Sequence, residues 1–364
     1  MEASDFLIPL SLAIAAAALV TPVVARFARQ LQIVDCPSDR GVNSRSGMPL
    51  AGGLAVAAGF FGALVAAVNG VADIISSEAL RGLVLGTSLM ILAGLCDDRW
   101  GLNARVKFLV QIVAAVVAIS HGFTVTHFTE PLSGMTFAFP DWLVWVVSIL
   151  WIVGITNALN LVDGLGGLAA GVGAIIGATL TVIAWQTGQT LGVCIGVALV
   201  GSLLGFLPYN FWPARIFLGD TGSLFIGYVL ALLALDGYRQ LSLMTFVVPL
   251  LALAVPILDT FLSIVRRIRK RAPIFTADQM HMHHRLLASE GSHRAAVLQF
   301  YLLTAAFCLI ALSFTRLEGT TAALFLVAVL VLTVRLLRNL DVFSTEKNEV
   351  APGDLPAGTK KEKS

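Results

Sequence analysis

The adjacent acids Asp97-Asp98, in Gly94-Leu-Cys-Asp-Asp-Arg-Trp-Gly101, form one of five polar clusters that interrupt an otherwise apolar chain. Neighbouring carboxylates repel, and partial burial raises their pKa values. A bound cation or a basic partner removes that conflict, and Mg²⁺ commonly takes one or two carboxylates plus substrate phosphates. The competing reading is a pair of acids that only marks a membrane edge. A second cluster, Asn157-Ala-Leu-Asn160-Leu-Val-Asp163-Gly164-Leu165-Gly-Gly167, sets Asn157, Asn160 and Asp163 at i, i+3 and i+6. On a helix those three share a face, and the glycines that follow let backbone approach a ligand closely. Alternatively the segment is an ordinary helix C-cap with a Gly-rich turn. In Asn210-Phe-Trp-Pro-Ala-Arg-Ile-Phe217-Leu-Gly-Asp220-Thr-Gly-Ser223, Asp220 or Thr221 is a natural N-cap. Free N–H groups at that helix start would attract phosphate.

His281-Met-His283-His284 holds three of the six histidines, behind the basic run Arg266-Arg267-Ile-Arg269-Lys270-Arg271. Imidazoles there suit a diphosphate, proton transfer or zinc. Arg40 and Arg45, ahead of Gly52-Gly53, suit anion contacts. His121, His127 and His293 read as incidental.

Apolar spans must position these clusters. The chain is 57% hydrophobic and 13% charged, with mean hydropathy +0.87. Soluble domains carry about 25% charged residues, so these apolar runs belong in a bilayer. Eleven spans are expected, at roughly 5–26, 50–70, 79–96, 104–121, 141–157, 165–186, 189–207, 221–236, 243–265, 295–314 and 320–337. The first has acids before it and Arg26 and Arg29 after it, the reverse of a secretory signal. It reads as a retained helix with its N-terminus outside. Alternation then brings all five polar clusters to the cytoplasmic side. Of the 24 Lys and Arg, only Arg81, Arg239 and Arg316 fall outside, the bias that positive-inside topology requires. The outer stretch 122–140 alternates as two short strands around Pro131-Leu-Ser-Gly134, which predicts a hairpin. One integral-membrane unit over 1–343 is expected, followed by a disordered cytoplasmic tail over 344–364. The cysteines, Cys36, Cys96, Cys194 and Cys308, lack CxxC spacing and give neither a disulfide framework nor a thiolate metal site.

Acids suited to Mg²⁺, a helix start suited to phosphate, and Arg and His suited to a diphosphate thus meet where a lipid headgroup and a soluble nucleotide can meet. Phosphoryl-type transfer between them is the natural reaction class. These segments, in this order, resemble the polyprenyl-phosphate N-acetylhexosamine-1-phosphate transferases over roughly residues 5–340. The likeness is strongest to the undecaprenyl-phosphate N-acetylglucosamine-1-phosphate branch.

The resemblance implies an all-α polytopic enzyme of the cell membrane, with its active site facing the cytoplasm. Its partners would be a UDP-N-acetylhexosamine, polyprenyl phosphate and the bilayer, with no nucleic acid, and a homodimer is expected. Its products would be UMP and the lipid-linked first sugar of a cell-wall, lipopolysaccharide or O-antigen glycan. The expected cofactor is Mg²⁺, with Mn²⁺ as a substitute. Asp97 matches the family aspartate that deprotonates the lipid phosphate, Asp220 with Asp98 nearby the metal ligands, and Asp163 a further catalytic acid. Asn157 and Asn160 belong to the substrate-binding set. Asn210, Phe217, Gly164 and Leu165 match the nucleoside pocket, and His281, His283 and His284 match the diphosphate-sugar loop, with Arg45 as an anion contact. Two departures stand out. Gly166 and Gly101 occupy positions where relatives often carry charge, which points to the sugar and base pocket as the place of difference. Outside the family, a polytopic ion- or proton-coupled transporter is the alternative. Transporter sites lie near the bilayer midplane, often between repeats, whereas these acids cluster at span ends.

Overall fold

A computed structural model describes residues 6–35, 47–68, 77–129, 135–236, 244–269, 286–287 and 292–315, and scattered positions between 321 and 335. Arg45, His281, His283, His284 and the tail from 344 onward lie outside the described residues. The chain divides into two compact units, Met1–Ala323 and Leu324–Ser364. All that follows concerns the first.

Local chemistry starts and stops its helices. α1 (Leu7–Gln30) is a 24-residue apolar run, and α2 (Gly53–Val68) follows the first polar loop. Ser77 Oγ accepts the Leu80 N–H at 3.2 Å and opens α3 (Glu78–Trp100), which Gly101 ends in the left-handed region at φ +68°. Asn103 Oδ1 accepts the Arg105 N–H at 2.9 Å and opens α4 (Ala104–Ser120). The strands β1 (His127–Thr129) and β2 (Thr136–Ala138) pair antiparallel with Phe128 opposite Phe137. This is the hairpin expected from the alternation, though shorter. α5 (Asp141–Val162), α6 (Leu168–Gln186), α7 (Thr190–Asn210) and α8 (Gly219–Asp236) follow. The run ends with α9 (Met244–Ala252), α10 (Ala254–Arg269) and α11 (His293–Phe314).

Seven of these helices, α1, α3, α5, α6, α7, α8 and α11, are long and apolar enough to cross a bilayer. The protein is therefore a helical multi-pass membrane protein. α2 and α4, at 16 and 17 residues, are shorter than that. The expected span 243–265 is built from two consecutive helices, α9 and α10, broken at Leu253. Pro256 explains the break: it has no N–H for the Ala252 carbonyl, and its ring crowds that carbonyl. The Cys308 thiol lies 3.7 Å from the same oxygen. Half of the expected last span, 320–337, falls outside the described residues.

α8 is the core of the bundle. Its apolar window is 89% buried, against 22% for α1. α3, α5, α2, α6 and α7 pack around it. Small residues make the close approaches, as membrane helix packing favours: Gly53 meets the backbone of Gly222, and Gly94 meets that of Thr221. Leu7, Ile8 and Leu19 of α1 are exposed, the arrangement a lipid-facing helix requires.

Candidate active site

The C-terminal end of α3 faces the N-terminal end of α8. Asp98 accepts the Asp220 N–H on Oδ1 at 2.7 Å, and on Oδ2 the Thr221 N–H at 3.1 Å and the Thr221 hydroxyl at 2.5 Å. The cap of α8 is thus a carboxylate from another helix, set against the positive end of the helix dipole. This corrects the expectation that Asp220 or Thr221 caps α8 and that its free N–H groups draw phosphate. The anion at that helix start is the protein's own. Gly219 is required there twice over. Its φ is +72°, and a Cβ would lie 2.5 Å from Asp98 Oδ2.

Freed from capping, the Asp220 carboxylate turns to Lys107, whose ammonium lies 2.7 Å from Asp220 Oδ2 and 3.1 Å from Asp97 Oδ2. The Leu102 N–H donates to Asp97 Oδ1 at 2.7 Å, fixing that side chain. All three side chains are partly open, from 15% for Asp97 to 25% for Asp220. Lys107 is the residue that motif reading misses, although one signal existed. A lone ammonium four residues into an apolar helix is a functional candidate by default.

Asp163 follows α5 and completes the acidic group. Burial first, then the neighbouring Asp220 and Asp98 carboxylates, push its carboxyl well above the usual carboxylate range. Asn157 and Asn160 share the α5 face expected of them, but each has a protein partner. Asn157 exchanges hydrogen bonds with the buried Gln111 amide and donates to the Val153 carbonyl. Asn160 donates to Ser223 Oγ at 2.8 Å. They tie α5 to α4 and α8.

The loop from α7 to α8 is held from two sides. Asn210 is 1% exposed. It accepts the Gly167 N–H at 2.9 Å and donates to the Ile216 carbonyl at 3.0 Å. It therefore joins the Gly164–Gly167 turn to the stretch carrying Phe217. On the other side, Phe217 N–H donates to the Pro49 carbonyl, Gly52 N–H to the Phe217 carbonyl and Gly53 N–H to the Leu218 carbonyl, at 2.9, 3.1 and 2.9 Å. This ladder threads the first loop against the start of α8. Gly166 packs closely against its neighbours. A Cβ there would meet the Asn210 carbonyl at 3.0 Å and Ala214 at 3.3 Å, so the missing acid at this position goes with a tightly closed turn.

Asp97, Asp98, Lys107, Asp163 and Asp220 thus gather from four helix ends. Among the described residues, no group of three or more His, Cys, Asp or Glu side chains is arranged to hold a metal ion by itself. The donor set nevertheless suits a hard cation. Asp97 and Asp220 already share one cation, the Lys107 ammonium, and Mg²⁺ needs only one or two carboxylates when phosphates supply the rest.

Residues 80–238 match glycosyl transferase family 4. A probable undecaprenyl-phosphate N-acetylglucosaminyl 1-phosphate transferase of Bacillus subtilis (strain 168) is 38% identical over 332 residues, 90% of each chain. The chain belongs to glycosyl transferase family 4. A decaprenyl-phosphate N-acetylglucosaminephosphotransferase of Mycolicibacterium smegmatis is 36% identical, over 79% of this chain and 77% of the relative. A phospho-N-acetylmuramoyl-pentapeptide-transferase of Shouchella clausii is 30% identical, over 83% and 95%. The family 4 segment opens in α3 and closes just past α8. It therefore contains Asp97, Asp98, Lys107, Asp163 and Asp220, and the resemblance read from the motifs is borne out.

Proposed function

We propose that this family 4 member moves an N-acetylhexosamine-1-phosphate from a UDP-sugar to a polyprenyl phosphate at the cytoplasmic face of the cell membrane. The observation that carries the proposal is the Lys107 ammonium held between Asp97 and Asp220 at helix ends, in a chain whose relatives are named for this reaction class. The transporter reading loses its support on the same grounds.

An apolar groove beside the acids supports the lipid half of the reaction. Leu150, Gly154 and Ala158 of α5 face Leu250, Ile257 and Phe261 of α9 and α10 around a cavity of about 380 Å³. Its α5 wall, from Val147 to Ala158, is about 16 Å long at 1.5 Å per residue. Asp163 lies about 8 Å further along the same axis. An isoprenoid chain in the groove would carry its phosphate to the acids.

In the reaction, an oxygen of the lipid phosphate attacks the β-phosphorus of the UDP-sugar. The bond from that phosphorus to the bridging oxygen breaks, and UMP leaves. Direct attack is favoured over attack by an aspartate, because a lipid phosphate is already largely ionised near neutral pH. Asp97 takes the remaining proton when there is one. Lys107 has three N–H donors; two serve Asp97 and Asp220, leaving one for a diphosphate oxygen. Asp220 is the residue best disposed to hold Mg²⁺, or Mn²⁺ in its place, which when bound would neutralise charge on the diphosphate. Asp98 sets α8 in place. Asp163, with its raised pKa, stands ready to share a proton. The Gly164–Leu165 turn and Phe217 form the nucleoside side, with the Leu165 side chain buried behind the turn and Asn210 shaping it from behind. The proposal carries with it the eleven-span, N-outside topology and a homodimeric assembly.

The test is UMP release by purified protein with polyprenyl phosphate and a panel of UDP-N-acetylhexosamines. Release that needs the lipid, stops with a chelator and returns with Mg²⁺ supports the proposal, and no release with any sugar counts against it. The groove has its own test. Gly154 lines it and has open space where a side chain would begin. Gly154→Phe is expected to raise the KM for polyprenyl phosphate about tenfold, as loss of roughly 1.4 kcal/mol of apolar contact would, with the KM for the UDP-sugar unchanged.

A further inference from the structure

α11 grips both loops of the nucleoside side from behind. Tyr301 donates its hydroxyl proton to the Gly167 carbonyl, and the N–H of the same Gly167 goes to Asn210. Gly167 sits in the left-handed region at φ +87°, where the turn enters α6, so its two peptide groups set the turn's direction. The Tyr301 ring lies where any side chain on Gly171 would collide with it, and it packs at 6.5 Å against Phe211. Two turns earlier, His293 stacks on Trp212 with ring centres 4.6 Å apart and planes within 23°. Arg294 Nε donates to the Trp212 carbonyl at 3.4 Å. His293, read from sequence as incidental, therefore has a place. One helix face, at positions 293, 294 and 301, fixes the Gly164–Gly167 turn and the 211–217 loop against each other.

We infer that α11 is the brace that sets the width of the nucleotide pocket, with Tyr301 as its positioning residue. The Tyr301 hydroxyl is committed to the Gly167 carbonyl and its ring to Phe211. It acts through Gly167, which aims the backbone of the Gly164–Leu165 turn. The inference rests on the reading that this turn faces the nucleoside.

Tyr301→Phe is the discriminating variant, because the ring stays on Gly171 and Phe211 and only the hydroxyl is lost. Loss of one buried hydrogen bond shifts an equilibrium about 3- to 10-fold. Hydrogen exchange in a peptide spanning 163–170 is expected to speed up by that factor, with no change in a peptide spanning 224–235. The KM for the UDP-sugar is expected to rise by a similar factor while kcat and the KM for polyprenyl phosphate hold. Tyr301→Ala should extend the faster exchange to 211–217. Unchanged exchange at 163–170 overturns the brace, as does an equal rise in both KM values. If the unaltered protein releases no UMP with any sugar, the proposed function fails, and exchange alone then decides the brace by the same criterion.

Discussion

Replacing Lys107 by methionine is expected to cut turnover by about 100- to 1000-fold while the protein still inserts and folds. The range is what removal of one preorganised group at a developing charge costs in other enzymes. Methionine keeps the length and apolar stem of lysine, so α4 packs as before. What disappears is the ammonium that lies 2.7 Å from Asp220 and 3.1 Å from Asp97. Two carboxylates then face each other without a counter-charge, and a diphosphate brought beside them meets only negative charge. Lys107→Arg should recover little, since a planar guanidinium does not replace a compact point charge. UMP release at saturating substrates measures the effect. Turnover within threefold of the parent protein would remove Lys107 from the reaction.

Asp98→Asn is expected to act by a different route, through the fold. The carboxylate takes three donors at the start of α8, two N–H groups and the Thr221 hydroxyl. An amide in the same place offers one oxygen and turns an NH₂ group toward donors, so one end of the cap becomes repulsive. Hydrogen bonds to a charged group contribute about 1.5–3 kcal/mol, and a buried donor left unpaired costs a similar amount. A loss of about 3 kcal/mol follows, read as a lowered unfolding temperature in detergent. Turnover falls with it, because Asp220 rides on the same helix start. The two variants are therefore expected to separate: Lys107→Met loses activity without stability, and Asp98→Asn loses both. An Asp98→Asn protein of full stability and no activity would return Asp98 to the chemistry and away from the cap.

The contrast between Asp98 and Lys107 shows what the sequence can and cannot express. Apolar runs and their caps are local, so Ser77, Gly101 and Asn103 mark their helix ends legibly, and the acid clusters are visible as breaks in the runs. The partner of an acid is a long-range fact. Nothing near Asp98 tells that it closes a helix more than a hundred residues later, or that Asp220 is thereby released to Lys107. The same holds for Asn157 and Asn160. Their shared face follows from helical spacing, but their partners Gln111 and Ser223 come from other helices. Pro256 is different, because the break between α9 and α10 is written locally. The apolar length of 243–265 masks it. His293 sits in the polar stretch Ser289-Glu290-Gly291-Ser292-His293-Arg294, where nothing local points to Trp212, and only the fold brings the two rings together.

The central claim is that phosphate travels with the sugar from nucleotide to lipid. It is tested most directly with a UDP-N-acetylhexosamine labelled in the β-phosphate, incubated with the purified protein, Mg²⁺ and polyprenyl phosphate. The label is expected in the lipid fraction, in one-to-one ratio with unlabelled UMP in the aqueous phase. Label remaining in the aqueous phase as UDP, with sugar alone on the lipid, would contradict it.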